Sequence, residues 1–226
     1  VAAKEGLVEA EIYEPILGYG ESSTPLHEER LDAVASLLLG SGANTVLDLG
    51  CGAGALLQRL VAEEQFTRIV GVDSSAEALL MAERYLYTES DVADGRVALI
   101  HGSYTDPDAR LEGFDAAALI ETIEHIEPTQ LSQVERAVFG SVRPDLVVVT
   151  TPNREYNVLY RIPEGEYRHA DHCFEWDRPK FESWARGVSK RRGYDVTFAE
   201  IGPSDAWLGS PTQMGVFRLK EAGCRL

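Results

Sequence analysis

One nine-residue stretch constrains this chain more than any other. Val46-Leu-Asp-Leu-Gly-Cys-Gly-Ala-Gly54 reads as a strand, a tight turn and the start of a helix. Glycines at 50, 52 and 54 let the backbone turn sharply and let a ligand approach it closely. The segments around it alternate in the same way. Leu26 to Gly40 has helical apolar spacing, Thr45 to Leu49 is a strand, and Ala53 to Glu63 is a helix. Arg68 to Val72, Arg96 to His101, Phe114 to Ile120 and Leu146 to Thr150 read as further strands. Ser75 to Tyr87 and Leu131 to Phe139 read as helices between them. Such alternation predicts an α/β fold with a mainly parallel sheet. After it, Phe174 to Arg191 looks helical, with Pro179 suited to a first turn. Tyr194 to Ile201 and Gln213 to Leu219 read as two late strands on an antiparallel edge.

The ligand of the glycine turn is narrowed by its acids. A nicotinamide-type GxGxxG would need its third glycine at position 55, where Ala55 stands. Asp48, just before the turn, would repel a pyrophosphate but suits a cation. Asp73 closes the next strand, 25 residues on, where a carboxylate can accept both hydroxyls of a ribose. Acids at both points fit S-adenosylmethionine, whose amino group and sulfonium are positive.

Composition sets limits on the rest. The chain has 226 residues, 44% of them hydrophobic and 26% charged, enough for one well-cored domain. No apolar run approaches a membrane span, and the first residues given show no signal-peptide pattern. Cys51, Cys173 and Cys224 lie far apart, which argues against a disulfide framework and for a reducing, cytoplasmic setting. The net charge of −16 argues against binding a long nucleic acid, though not against gripping one strand end. Arg178, Lys180, Arg186, Lys190, Arg191 and Arg192 form a late basic cluster that also reads as a solvated helix face. The chain begins with Val1 rather than Met, so it is expected to be excised from something longer.

A second group carries the chemistry. Glu121-Thr-Ile-Glu-His125 follows the fourth strand, where a parallel sheet places its ligands. On a helical turn its three polar groups share one face and can point at one ion. The spacing matches neither zinc-protease pattern, and Pro128 limits any helix here to about one turn. The same residues also suit a capped, solvated helix start. His169 and His172 bring two more imidazoles downstream.

The glycine turn and Gly-Val-Asp73-Ser74 resemble the first two motifs of class I methyltransferases. Three further segments resemble the Hen1 family, which methylates the 2′-hydroxyl of an RNA 3′-terminal ribose. They are Glu121-Thr-Ile-Glu-His125, Thr151-Pro-Asn-Arg-Glu-Tyr-Asn157 and Asp171-His-Cys-Phe-Glu-Trp-Asp-Arg178. Asp177 departs from the family's usual Thr. The resemblance runs from about Tyr19 to Ile201. It implies a Rossmann-like, seven-stranded methyltransferase sheet with helices on both faces and a small inserted metal- and RNA-binding segment. Residues 1–226 then form one domain: an extension (1–25), a cofactor half (26–120) and a metal and RNA half (121–226).

The resemblance also assigns roles. Asp48, Gly50 and Gly52 line the methionine end of S-adenosylmethionine, Asp73 and Ser74 take the ribose, and Ser103 and Tyr104 lie near the adenine. Arg30 is expected to pair with the methionine carboxylate. Glu121, Glu124, His125 and His172 are the implied ligands of one divalent ion, leaving positions open for the 2′ and 3′ hydroxyls. Mixed oxygen and nitrogen donors favour manganese or another transition metal over magnesium. Asn153, Arg154, Tyr156, Arg168 and His169 are candidate contacts to the terminal nucleotide. Phe174 and Trp176 suit either stacking or core, with core favoured for Trp176. Implied partners are an RNA end with a free 2′,3′-diol and, in bacterial RNA repair, a polynucleotide kinase-phosphatase; eukaryotic relatives protect small silencing RNAs. Two other readings fit the same pattern in part: a metal-dependent O-methyltransferase for a catechol-like diol, and a non-catalytic S-adenosylmethionine-binding module.

Overall fold

The computed structural model describes residues 24–86, 95–106 and 108–220. Most of the expected extension, Cys224 and Tyr87 lie outside the described residues. Helix α1 (Pro25–Gly40) starts as its sequence dictates: Thr24 is the cap, its hydroxyl accepting from the His27 amide, and Pro25 fills the first turn. Then follow β1 (Thr45–Leu49), α2 (Ala55–Val61), β2 (Arg68–Asp73), α3 (Ala76–Leu86) and β3 (Val97–His101). The second half runs β4 (Ala116–Ile120), α4 (Leu131–Arg136), β5 (Leu146–Pro152), α5 (Arg178–Arg192), β6 (Tyr194–Ile201) and β7 (Thr212–Leu219).

The seven strands lie in the order β3-β2-β1-β4-β5-β7-β6. The first five are parallel; β7 runs antiparallel to β5, and β6 antiparallel to β7. The expected mainly parallel, seven-stranded sheet with an antiparallel edge is therefore observed. The chain winds outward from β1 to β3 and then returns to the other side of β1 with β4. The crevice beyond the carboxyl ends of β1 and β4 is thus the ligand-binding point of such a sheet.

Two apolar layers sandwich the sheet. Leu47, Leu49, Ala117, Leu119, Val147 and Val149 point to one face and pack with α4 and α5 through Leu131, Val134, Phe181 and Val188. Val46, Ile69, Ala116, Ala118 and Val148 point to the other and pack with α1, α2 and α3 through Val34, Leu38, Leu57 and Leu79. Burial on both faces is why these strands read as unbroken apolar runs. At the outer edge, β6 alternates between half-buried and exposed positions instead.

Several boundaries move. The late helix begins at Arg178, not Phe174, because Asp177 caps it, accepting from the Lys180 amide at 2.9 Å. Residues 174–176 are extended, and Trp176 bridges Asn153. Phe174 and Trp176 stack at 4.3 Å inside the core, so both are core residues. Helix α4 gives way after Arg136 to a wider π-type turn, Ala137–Val142. Among the described residues no helix is long and apolar enough to cross a membrane.

Candidate active site at the switch point

The cofactor side is built from backbone. Gly50 sits at φ +85°, and a Cβ there would lie 2.0 Å from the Thr122 methyl group. Glycine is required on both counts, and the turn is pressed directly against the start of the Glu121–His125 stretch. Gly52, at φ +52°, has open space where a side chain would stand, a cradle left free beside the turn. Its amide donates to the Asp73 carboxylate at 2.8 Å, and the other Asp73 oxygen accepts from the Ser75 amide at 2.8 Å. Asp48 is buried, and burial, together with the nearby Asp73, pushes its carboxyl up to about 7. A cation placed there would restore the charged form. Ser74 is exposed, its carbonyl 3.0 Å from His101 Nε2. Ser103 holds Thr105 through its hydroxyl at 2.7 Å. Tyr104 is buried with its hydroxyl unpartnered; burial, then Glu124 and Asp73, raises its pKa.

The acidic stretch does not form the helical turn expected of it. Only Ile123–His125 is helical, as a single 3-10 turn, and Glu121 before it has φ +49°. A left-handed glutamate is unfavourable and must be held by its surroundings. Its amide donates to the Thr150 carbonyl and lies 3.1 Å from the Thr150 hydroxyl. Its carboxylate turns to Arg30 at 3.3 Å, and Arg30 also donates to the Thr212 hydroxyl. The four implied ligands are therefore not equivalent. Ligand atoms of Glu124, His125 and His172 all lie within 4.8 Å of one another, and Glu121 stands outside that group. Arg30, expected to face a methionine carboxylate, pairs with Glu121 in this structure.

His172 joins the group through the backbone. The Cys173 amide donates to the Glu124 carbonyl at 2.8 Å, fastening the two segments across the site. Each imidazole has a carboxylate on Nδ1: Glu175 lies 2.7 Å from that of His172, and Asp171 lies 3.2 Å from that of His125. This leaves both Nε2 atoms for another partner, the arrangement that orients metal-binding histidines. Glu124 is fully buried. One oxygen accepts from the Thr151 hydroxyl at 2.9 Å, and the other has no partner; the same holds for one oxygen of Glu121. Burial, then Glu121, pushes the Glu124 carboxyl well above its ordinary value. Burial, then His172, lowers the His125 imidazole. Orphaned buried carboxylate oxygens beside two oriented imidazoles fit a divalent ion, which would relieve both strains. His169 pairs with Asp171 at 3.1 Å, its ring 5.4 Å from that of His172.

The residues expected to touch substrate divide. Asn153 is fully buried, its amide group donating to the carbonyls of Leu208 and Ser210, so it shapes the site rather than contacting a ligand. Arg168 is likewise engaged, donating to Asn157 and to the carbonyls of Pro211 and Asn153. Tyr156 is buried against Tyr160, whereas Arg154 is exposed. The sequence alone assigns no role to Glu175, Asp171, Asn157 or Thr151. Glu175 carried one signal: it stands three residues after His172 in the same motif. The late basic cluster is largely paired: Arg178 with Glu155, Arg186 with Glu182, and Arg191 and Arg192 with Glu135.

A family profile described as "Methyltransferase domain" matches residues 46–145. The methyltransferase domain of bacterial CtHen1 is 42% identical, with a TM-score of 0.78, covering 86% of this chain and 100% of that one. The structure of small RNA methyltransferase HEN1 is 31% identical, with a TM-score of 0.81, covering 91% of this chain and 28% of that one. The small RNA 2′-O-methyltransferase of Rattus norvegicus is 37% identical over 203 residues, 86% of this chain and 51% of that protein. The chain spans about half the length of the curated vertebrate relatives it matches.

Proposed function

This chain belongs to the Hen1 methyltransferase family, and from that premise we propose that it transfers a methyl group from S-adenosylmethionine to the 2′-hydroxyl of the 3′-terminal ribose of RNA, with the help of one divalent ion. The observation that carries the reading is the contact between its two halves. The glycine turn is packed on Thr122, and the Glu124, His125 and His172 ligand atoms cluster immediately beyond it. A methyl donor and an ion would therefore sit side by side.

Asp48 would hold the cationic methionine end, the open space at Gly52 would admit the cofactor's body, and Asp73 would take the ribose. S-adenosylmethionine supplies the methyl group on a sulfonium. Glu124, His125 and His172 would hold the ion, with Glu121 as a fourth donor. Such an ion lowers the pKa of a ribose hydroxyl and fixes its position. Asp171 and Glu175 orient the two imidazoles, and the Cys173–Glu124 backbone bond holds their segments together. Arg30 acts best as a positioning residue for Glu121, given its contacts. Alignment of donor and acceptor by these fixed groups supplies much of the rate. Manganese remains the favoured ion by donor chemistry. A cytoplasmic RNA-repair setting with a polynucleotide kinase-phosphatase partner follows from the family resemblance.

The test is methyl transfer from labelled cofactor to short RNA. Activity is expected on ends with a 2′,3′-diol, and loss with a 2′-deoxy terminus or after chelation by EDTA. Methylation of internal riboses, full activity in EDTA, or a preference for catechols over RNA ends would each overturn the reading.

A further inference from the structure

Trp207 is 86% exposed, the most exposed large apolar side chain among the described residues. Its backbone is the opposite of loose. Asp205 and Gly209 exchange amide–carbonyl bonds of 2.8 and 3.0 Å, closing a small ring. The Asp205 carboxylate accepts from the amides of Trp207 and Leu208 at 2.8 and 2.9 Å. Arg178 donates to the Trp207 carbonyl at 2.7 Å, and Asn153 holds the carbonyls of Leu208 and Ser210. Gly209 sits at φ +70°, where a Cβ would meet Glu200 and Arg178 below 3 Å. The local hydrogen bonds are thus met without the indole, which makes no ring or cation contact among the described residues. A rigidly presented, exposed ring is free to take a flat ligand on its face.

Its position says which ligand. The turn joins β6 to β7 at the carboxyl end of β5, the same edge as the candidate site. Thr212, where β7 begins, accepts from Arg30, and Arg30 pairs with Glu121. The Asn153 side chain also accepts from the Glu155 amide, so one residue holds both this turn and the segment bearing exposed Arg154 and Arg161. In a chain of net charge −16, exposed cations on a segment tied to the turn that carries an exposed aromatic ring suit a polyanion with flat bases. The exposed neighbours Pro203, Ser204 and Ala206 offer too little apolar area for a stable protein interface.

We propose that Trp207 is a stacking platform for one nucleobase of single-stranded RNA, upstream of the terminal ribose. The proposal rests on the RNA-end reading above. Base stacking on one ring is sequence-tolerant and adds roughly tenfold in affinity. Titration of the full chain with RNA ending in a diol, alongside steady-state kinetics, tests it. Trp207→Ala is expected to weaken RNA binding roughly tenfold, with the loss falling on KM rather than kcat and with cofactor affinity unmoved. Trp207→Phe should recover most of it. A single abasic nucleotide walked along the RNA should hurt the wild type at one position, and Trp207→Ala should no longer sense that position. Unchanged RNA affinity in Trp207→Ala, or an undiminished abasic penalty, would overturn the platform. The parent reading fails separately, if the wild type binds RNA through Trp207 but methylates no RNA end.

Discussion

The two sides of the site are made of different material. The cofactor side is backbone: three left-handed glycines, an open cradle at Gly52, and one acid at the end of each of two neighbouring strands. The side that would hold an ion is side chain: carboxylates and imidazoles from separate segments, each held by a further polar group. The first is local and depends on what a few consecutive residues cannot be. The second is distributed and depends on partners that meet only in the folded chain.

That contrast sets an order of fragility. Gly50→Ala should have the largest effect, because it strains a left-handed position and drives a methyl group into Thr122. A loss of about 2–4 kcal/mol is expected, with cofactor binding abolished; melting and calorimetric titration check both. If Gly50→Ala binds cofactor normally, the contact between the two sides is not rigid. Next, Glu175→Gln should lower manganese affinity by roughly 10–100-fold while S-adenosylmethionine affinity stays within about twofold. Equal damage to both ligands would mean that the two sides are one unit rather than two.

The smallest expected effect is on stability and depends on pH. The folded Asp48 carboxyl titrates near 7, above its ordinary value of 3.8, so between these values the folded state binds more protons than the unfolded one. Stability is then fully present below about pH 4 and falls as pH rises toward 7. Asp48→Asn should remove that decline, leaving the cofactor-free protein more stable than wild type at pH 8. The two proteins should converge near pH 4. Parallel melting curves across the range would show that Asp48 carries no such penalty.

The same contrast explains what the sequence made legible. Strands β1, β2, β4 and β5 announce themselves because they are buried on both faces, so their residues are mostly apolar. The glycine turn is legible because its conformation is written in the absence of side chains. Glu121 is not: a glutamate gives no sign of a positive φ, and its helical spacing suggested a face that the backbone never forms. The start of α5 is misread from the sequence because Phe174 has helical spacing with Phe181, yet Phe174 and Trp176 precede the helix and pack against the core. The meeting of His172 with Glu124 rests on a bond between residues far apart in the chain, and no local pattern encodes it. Family resemblance supplied that pairing; the carboxylates behind the imidazoles required the fold.

The clamps on either side of residues 154–175 have a further consequence. Asn153 and Trp176 are bridged, the Arg154 amide donates to the Trp176 carbonyl, and Cys173 is fastened to Glu124. The chain therefore leaves the sheet and returns to it at almost the same point, as a closed detour. Closing a longer detour costs only slightly more entropy. The stretch between Val158 and Tyr167 is where evolution, or an engineer, can lengthen the path and change what approaches the site. The groups that would hold the ion need not move.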